Sequence, residues 1–242
     1  LVGVAPWRTV SKTDGFKTVV AIRGVGNETN QNAIAAPSVA YHMDGIFIAS
    51  PFSLQTDFID VERIEVLRGP QGTLFGQNST GGAINVISKA PSTSELEGKT
   101  DLTVGNYGLT KTRGSINLPI SDSVATRTSI SVTKRDGFSD NIFNGQELDD
   151  ADHLSFRTDW LFETSDTSSI RVFAQYFDAD NNGAAMKGFY DTTPDKRELS
   201  QNTLSKYELE STVIGAIGEA DLGFASLKAL ASWQEDDIYV IR

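Results

Sequence analysis

The chain has 242 residues with 21 Lys+Arg against 32 Asp+Glu, a formal net charge of −11, so it lacks the basic face that a nucleic-acid binder needs. It holds no cysteine and two histidines, which excludes thiol nucleophiles, disulfides and Cys/His zinc sites. No stretch approaches the ~18 consecutive apolar residues of a membrane-spanning helix, and the start shows neither a signal sequence nor an initiator Met, so it reads as a processed or internal piece.

Residues 1–90 carry seven basic and seven acidic side chains, so the whole charge excess lies downstream. Val19–Arg23, Val39–Met43, Phe47–Ala49, Arg63–Leu67 and Ala83–Ser88 are short β-prone runs broken by Gly, Pro and Asn, the texture of a small mixed α/β domain. Asp44-Gly45 is a turn signal between two such runs. Glycines at 69, 72, 76, 81 and 82 permit positive φ or close backbone approach. Arg23 and Arg68 each leave an apolar run just before a glycine, and a guanidinium there can fork onto a carboxylate. The small polar stretch around Pro91 ends this domain, 1–90. We read 91–96 as a linker and 97–242 as a second region.

That second region is a ladder of about seven alternating strands, at Lys99–Gly105, Leu109–Leu118, Val124–Val132, Leu154–Phe162, Ile170–Tyr176, Tyr207–Ile217 and Leu227–Trp233. Val124, Thr126, Thr128, Ile130 and Val132 form one face of their strand, and Ala125, Arg127, Ser129 and Ser131 the other. Leu154–Phe162 repeats the pattern, with Ser155, Arg157 and Asp159 on its polar side, and Arg171 is on the polar side of the next strand. Tight connections at Pro119–Ser123, Glu163–Thr167 and Ala220–Leu222 alternate with the long polar Arg135–Asp150 and Asp180–Ser205, with Asn106–Gly108 as a short exception on the long-loop side. Strands of this length with aromatics near their ends and alternating short and long connections fit an outer-membrane β-barrel. A soluble sandwich or lipocalin-like barrel shares the period of two but requires neither the loop alternation nor a shielded polar face.

Four collinear blocks then bring in a family. Ile22-Arg23-Gly24, Tyr41-His42-Met43-Asp44-Gly45, Ile64 through Gly76, and Gly81 through Lys89 together resemble the plug of TonB-dependent outer-membrane receptors. The resemblance implies a plug domain truncated at its N-terminus, followed by the first strands of an antiparallel transmembrane barrel that closes with about 22 strands. It implies the bacterial outer membrane as location and active import of a scarce solute. A ferric siderophore is the leading cargo, and cobalamin, haem or an oligosaccharide are the others. The partner would be the TonB energy-transducing complex, acting through a Ton box not recognisable here; no cofactor and no enzymatic activity are implied. Arg23 and Arg68 correspond to positions that latch the plug to barrel glutamates. Val25–Ala36 and Ala49–Leu54 would form a cargo-contacting apex, with Asn27, Asn30, Gln31 and Phe52 as candidate contacts, and Arg127, Arg157 and Arg171 would line the lumen as a basic wall. A non-transporting porin or adhesin is the rival reading, disfavoured because an open pore has no use for a glycine-rich plug.

Other chemistry is missing. Gly76–Gly82 has phosphate-loop glycine spacing but lacks the lysine, and Gly24-Val25-Gly26 lacks the third glycine of a dinucleotide fingerprint. Asp178, Asp180 and Asn182 match the first half of a calcium loop, yet its twelfth position is Phe189 where a glutamate is required. The default for that segment is a solvated loop. His42 and His153 lie singly in β-prone runs, where a structural role outweighs metal binding.

Overall fold

The computed structural model describes residues 8–13, 17–22, 25, 38–50 and 59–241. The chain divides into two compact units, Leu1–Thr56 with Val61–Ser88, and Asp57–Asp60 with Lys89–Arg242.

In the first unit, β1 (Arg8–Thr13) and β2 (Lys17–Ile22) form an antiparallel pair. A four-stranded sheet contains β3 (Val39–Met43), β4 (Ile46–Phe47), β5 (Val61–Arg68) and β6 (Gly82–Ser88) in the order β4-β3-β6-β5. Its apolar face gathers Tyr41, Met43, Ile48 and Val86, with Val61, Ile64 and Ile84 packed against them. β3 and β6 are parallel and the other pairs antiparallel. Helix contributes only the single turn α1 (Gly72–Phe75), so the mixed α/β domain read from the sequence is strand-dominated among the described residues.

Asp44 and Gly45 form the expected two-residue turn, both at positive φ (54° and 87°), the backbone twist that joins antiparallel strands tightly. The turn is tied down where the Asp44 carboxylate accepts the Ser88 N–H (2.9 Å) and hydroxyl (2.7 Å). Gly69 and Gly76 take positive φ as their loop demands. Gly81 and Gly82 answer to close approach, and Gly72 to neither.

His42 is buried on β3 with its ring against Phe47 and Phe75. Burial lowers its pKa, partly offset by a hydrogen bond with the Phe75 backbone. The folded unit therefore binds fewer protons than the unfolded chain as pH falls through the ordinary histidine value near ~6.5. We expect this unit to lose stability on acidification across that range. His42→Gln should flatten the pH dependence of its urea midpoint between about pH 8 and 5.5, and an unchanged slope would sink the assignment.

In the second unit the described strands are β7 (Glu97–Val104), β8 (Thr110–Ser121), β9 (Val124–Arg135), β10 (Ser139–Asn141), β11 (Gln146–Leu148), β12 (Ala151–Ser165), β13 (Ser168–Asn181), β14 (Glu198–Leu199), β15 (Lys206–Asp221) and β16 (Ser226–Ile241). Seven of them form one antiparallel sheet in the order β16-β15-β13-β12-β9-β8-β7, and most run a few residues longer than the alternation in the sequence marks. Among the described residues the sheet does not close on itself. At one end its connections are the tight turns Asp122-Ser123, Asp166-Thr167 and Leu222–Ala225; at the other they are Gly105–Leu109 and the two long segments 136–150 and 182–205.

The long segments are folded together. β10 pairs antiparallel with β11 and parallel with β14. Beyond that pairing the Asn141 amide donates to Gln201 O (2.8 Å), Asn144 to Thr203 O (3.3 Å) and Gln146 to Ser205 O (2.6 Å), so side-chain amides extend the ladder where the backbone leaves it.

The faces of the seven-stranded sheet are distributed in the reverse of a soluble sandwich. Arg127, Ser129, Ser131, Ser155, Arg157 and Asp159 are buried, at 0–5% exposure. The alternate positions Ile130, Trp160, Ile170, Ile214 and Trp233 are 40–51% exposed. An apolar face of this extent is not left to water by a soluble monomer.

Candidate functional site

The buried face of the sheet brings together charges that lie on separate strands. Cross-strand register places Glu97, Asn117, Arg127 and Asp159 in one row over β7, β8, β9 and β12. Arg127 forks onto Asp60, with Nη2 3.1 Å from Oδ1 and Nε on the other oxygen, and its Nη1 is 3.2 Å from Glu97 Oε2. Lys89 Nζ donates to both Glu97 oxygens at 2.6 Å. One strand further, Arg157 donates to Asp159 through Nε (2.7 Å) and Nη2 (3.0 Å), reaches Gln175 Oε1 at 3.1 Å, and lies 4.1 Å over the Phe173 ring. Arg171 joins the same carboxylate through Nε at 2.8 Å.

Thus Arg127, Arg157 and Arg171 share one face on three successive long strands, but they do not present a basic wall. Each guanidinium is matched by a carboxylate, because a buried charge is tolerated only when paired and hydrogen-bonded. Phe173 and Phe177 are buried on that same face, a break in the polar alternation that supplies the ring under Arg157.

Nothing in the sequence singles out Asp60, Glu97 or Asn117. Asp159 is visible there as a polar-face residue, but its two partners depend on register, which the sequence leaves open. Asn117, 1% exposed, shows what the segment read as a linker does: its Oδ1 accepts the Ser92 N–H (2.9 Å), while its Nδ2 donates to Ser92 O (2.9 Å) and Glu95 O (2.7 Å).

At the loop end, Arg197 donates to the Tyr107 hydroxyl and lies 5.5 Å and 5.8 Å from the Tyr107 and Phe138 ring centroids, while Arg135 covers Phe138 at 4.9 Å. Three connections meet there. Asp191 is held down to about 2 by the N–H groups of Ser200 and Thr193 and the Thr193 hydroxyl, fixing the turn before β14.

The calcium-like run is corrected by its backbone. Asp178 and Asp180 lie within β13, extended rather than coiled around an ion. Asp180 pairs with Lys206, and Asn182 spends its amide as a donor to Glu147 O (2.9 Å). Among the described residues no group of three or more His, Cys, Asp or Glu is arranged to hold a metal. Arg68 ends β5, where its backbone carbonyl accepts from the Gln71 amide at 3.4 Å. Arg23, Asn27, Asn30, Gln31 and Phe52 lie outside the described residues.

Residues 1–83 match the family described as the TonB-dependent Receptor Plug Domain. The chain is 35% identical over 74 residues to the pesticin receptor of Yersinia pestis, a match covering 31% of this chain and 10% of that protein. It is 30% identical over 128 residues to the catecholate siderophore receptor Fiu of Escherichia coli K12, covering 49% and 16%. The solved ferric yersiniabactin uptake receptor FyuA from Yersinia pestis superposes with a TM-score of 0.82 at 20% identity, over 98% of this chain and 38% of that one. The ferripyoverdine receptor of the Pseudomonas aeruginosa outer membrane gives 0.75 at 19%, over 97% and 31%. At such identities the structural matches speak for the fold alone, and the chain spans well under half of each relative's length.

Proposed function

We propose that this chain, which carries a TonB-dependent receptor plug domain at residues 1–83, is the plug and the first part of the barrel of an outer-membrane transporter for a ferric siderophore. The observation that carries the reading is the reversed burial of the sheet, with paired charges on the buried face and Ile, Phe and Trp on the exposed one. On β12 the exposed face runs from Leu154 to Phe162, eight residue steps of ~3.3 Å or ~26 Å along the strand, close to the ~25 Å apolar band of an outer-membrane barrel. In this reading the buried face lines the lumen and the 136–150 and 182–205 segments face outward from the cell. TonB rearranges the plug, and no covalent bond is made or broken.

The cargo is a neutral or cationic ferric complex. Asp136, Asp140 and Glu147 are exposed at the loop end, where their field repels anions. Arg127, Arg157 and Arg171 are already engaged by Asp60, Glu97 and Asp159. The test is iron-limited growth of a host lacking its own receptors and carrying the full-length gene, supplied with siderophores of graded charge. TonB-dependent growth on neutral or cationic complexes is expected. Uptake of an iron-free solute alone would remove the cargo assignment, and entry without TonB would remove the transporter.

A further inference from the structure

The segment Val61–Ser88 belongs to the first unit, yet the residues flanking it, Asp60 and Lys89, belong to the second. These two ends are joined to each other, the Lys89 N–H donating to the Asp60 carbonyl at 2.9 Å. Both are also held by the sheet. Asp60, at φ 53° in the left-handed region that aspartate tolerates, takes the fork of Arg127, while Lys89 takes both oxygens of Glu97, which Arg127 also contacts. Ser129 Oγ adds a 3.4 Å contact to Asp60, and Asn117, in the same cross-strand row, fastens Ser92 and Glu95.

We propose that Asp60, Lys89, Glu97, Asn117 and Arg127 form a clip that fixes residues 59–60 and 89–97 to the strand sheet, with Arg127 as its positioning residue. A rearrangement of the first unit is then confined between the two clipped ends and does not pass into β7. The physical basis is that Arg127 is 4% exposed and shared by two carboxylates, so pulling the Asp60 end away strands a buried charge, while pulling the Lys89 end away breaks its bonds to Glu97 and to the Asp60 carbonyl. The clip bears on transport only through the function proposed above, but its geometry is testable without transport.

The experiment is hydrogen exchange on the full-length receptor. In Arg127→Gln the Lys89 amide should exchange about tenfold faster while the β12 and β13 amides keep their protection. Asn117→Leu should release the Ser92 amide in the same way. Arg127→Lys, which keeps a cation between Asp60 and Glu97, should retain most of the protection at Lys89. Unchanged Lys89 exchange in Arg127→Gln would overturn the clip, as would equal acceleration throughout β12 and β13, which is general loosening. Absence of siderophore uptake by the wild-type receptor, with the Lys89 and Ser92 amides protected in it and released in the variants, would count against the transport reading and leave the clip standing.

Discussion

Asp159→Leu is expected to be among the most damaging substitutions in the chain, costing about 3–5 kcal/mol. One carboxylate, itself 3% exposed, serves both Arg157 and Arg171. Its loss leaves Arg157 buried against Phe173 with only Gln175 and its remaining contacts to hold it. Leucine is bulkier than aspartate as well as uncharged, so the nearly isosteric Asp159→Asn is what separates charge pairing from packing. The measurement is the urea midpoint of the full-length protein in detergent, alongside the fraction recovered folded. Asp159→Asn, which can still accept a hydrogen bond, should lie between, and a midpoint for Asp159→Leu equal to wild type would show that the pair contributes nothing net.

Gly82→Val should disrupt the first unit by a mechanism that owes nothing to charge. Gly82 opens β6 at φ +147°, and a Cβ there would sit 2.3 Å from the Leu67 carbonyl oxygen, a backbone atom in the paired strand that cannot swing aside. A loss above ~4 kcal/mol is expected, in the range reserved for forced clashes and strained backbone. Limited proteolysis of the full-length protein should then cut within residues 61–88 while the seven-stranded sheet stays protected. Gly72→Ala, where nothing lies within 4 Å and φ is ordinary, is the control and should be close to neutral.

These two sites divide unequally between what was legible in the sequence and what was not. The glycines at 81 and 82 stood out because few residues tolerate such backbone, though only the paired Leu67 carbonyl and Val25 reveal that close approach is the reason. The seven long strands, the turn at Asp44-Gly45 and the tight connections were readable because each is encoded locally, by period-two alternation or turn chemistry within a few residues. The plug blocks were readable as an ordered, collinear resemblance. The three arginines were placed on one face by the same alternation, and they do share it.

Their neutralisation was not readable. Whether Arg127 meets an anion or Asp60 depends on a contact 67 residues away in sequence. Cross-strand register then decides that Arg157 and Arg171 share Asp159. The long polar segments read only as connections because their ladder is partly built from Asn141, Asn144 and Gln146 side chains, which carry no periodic signal. Strand positions, the alternation along them and the family resemblance of the plug can all be read locally, since each is a property of neighbouring residues. That the charged face is the buried one, and that each of Arg127, Arg157 and Arg171 is answered by a carboxylate, follows from the folded chain alone, because burial and pairing are set by residues far apart in sequence.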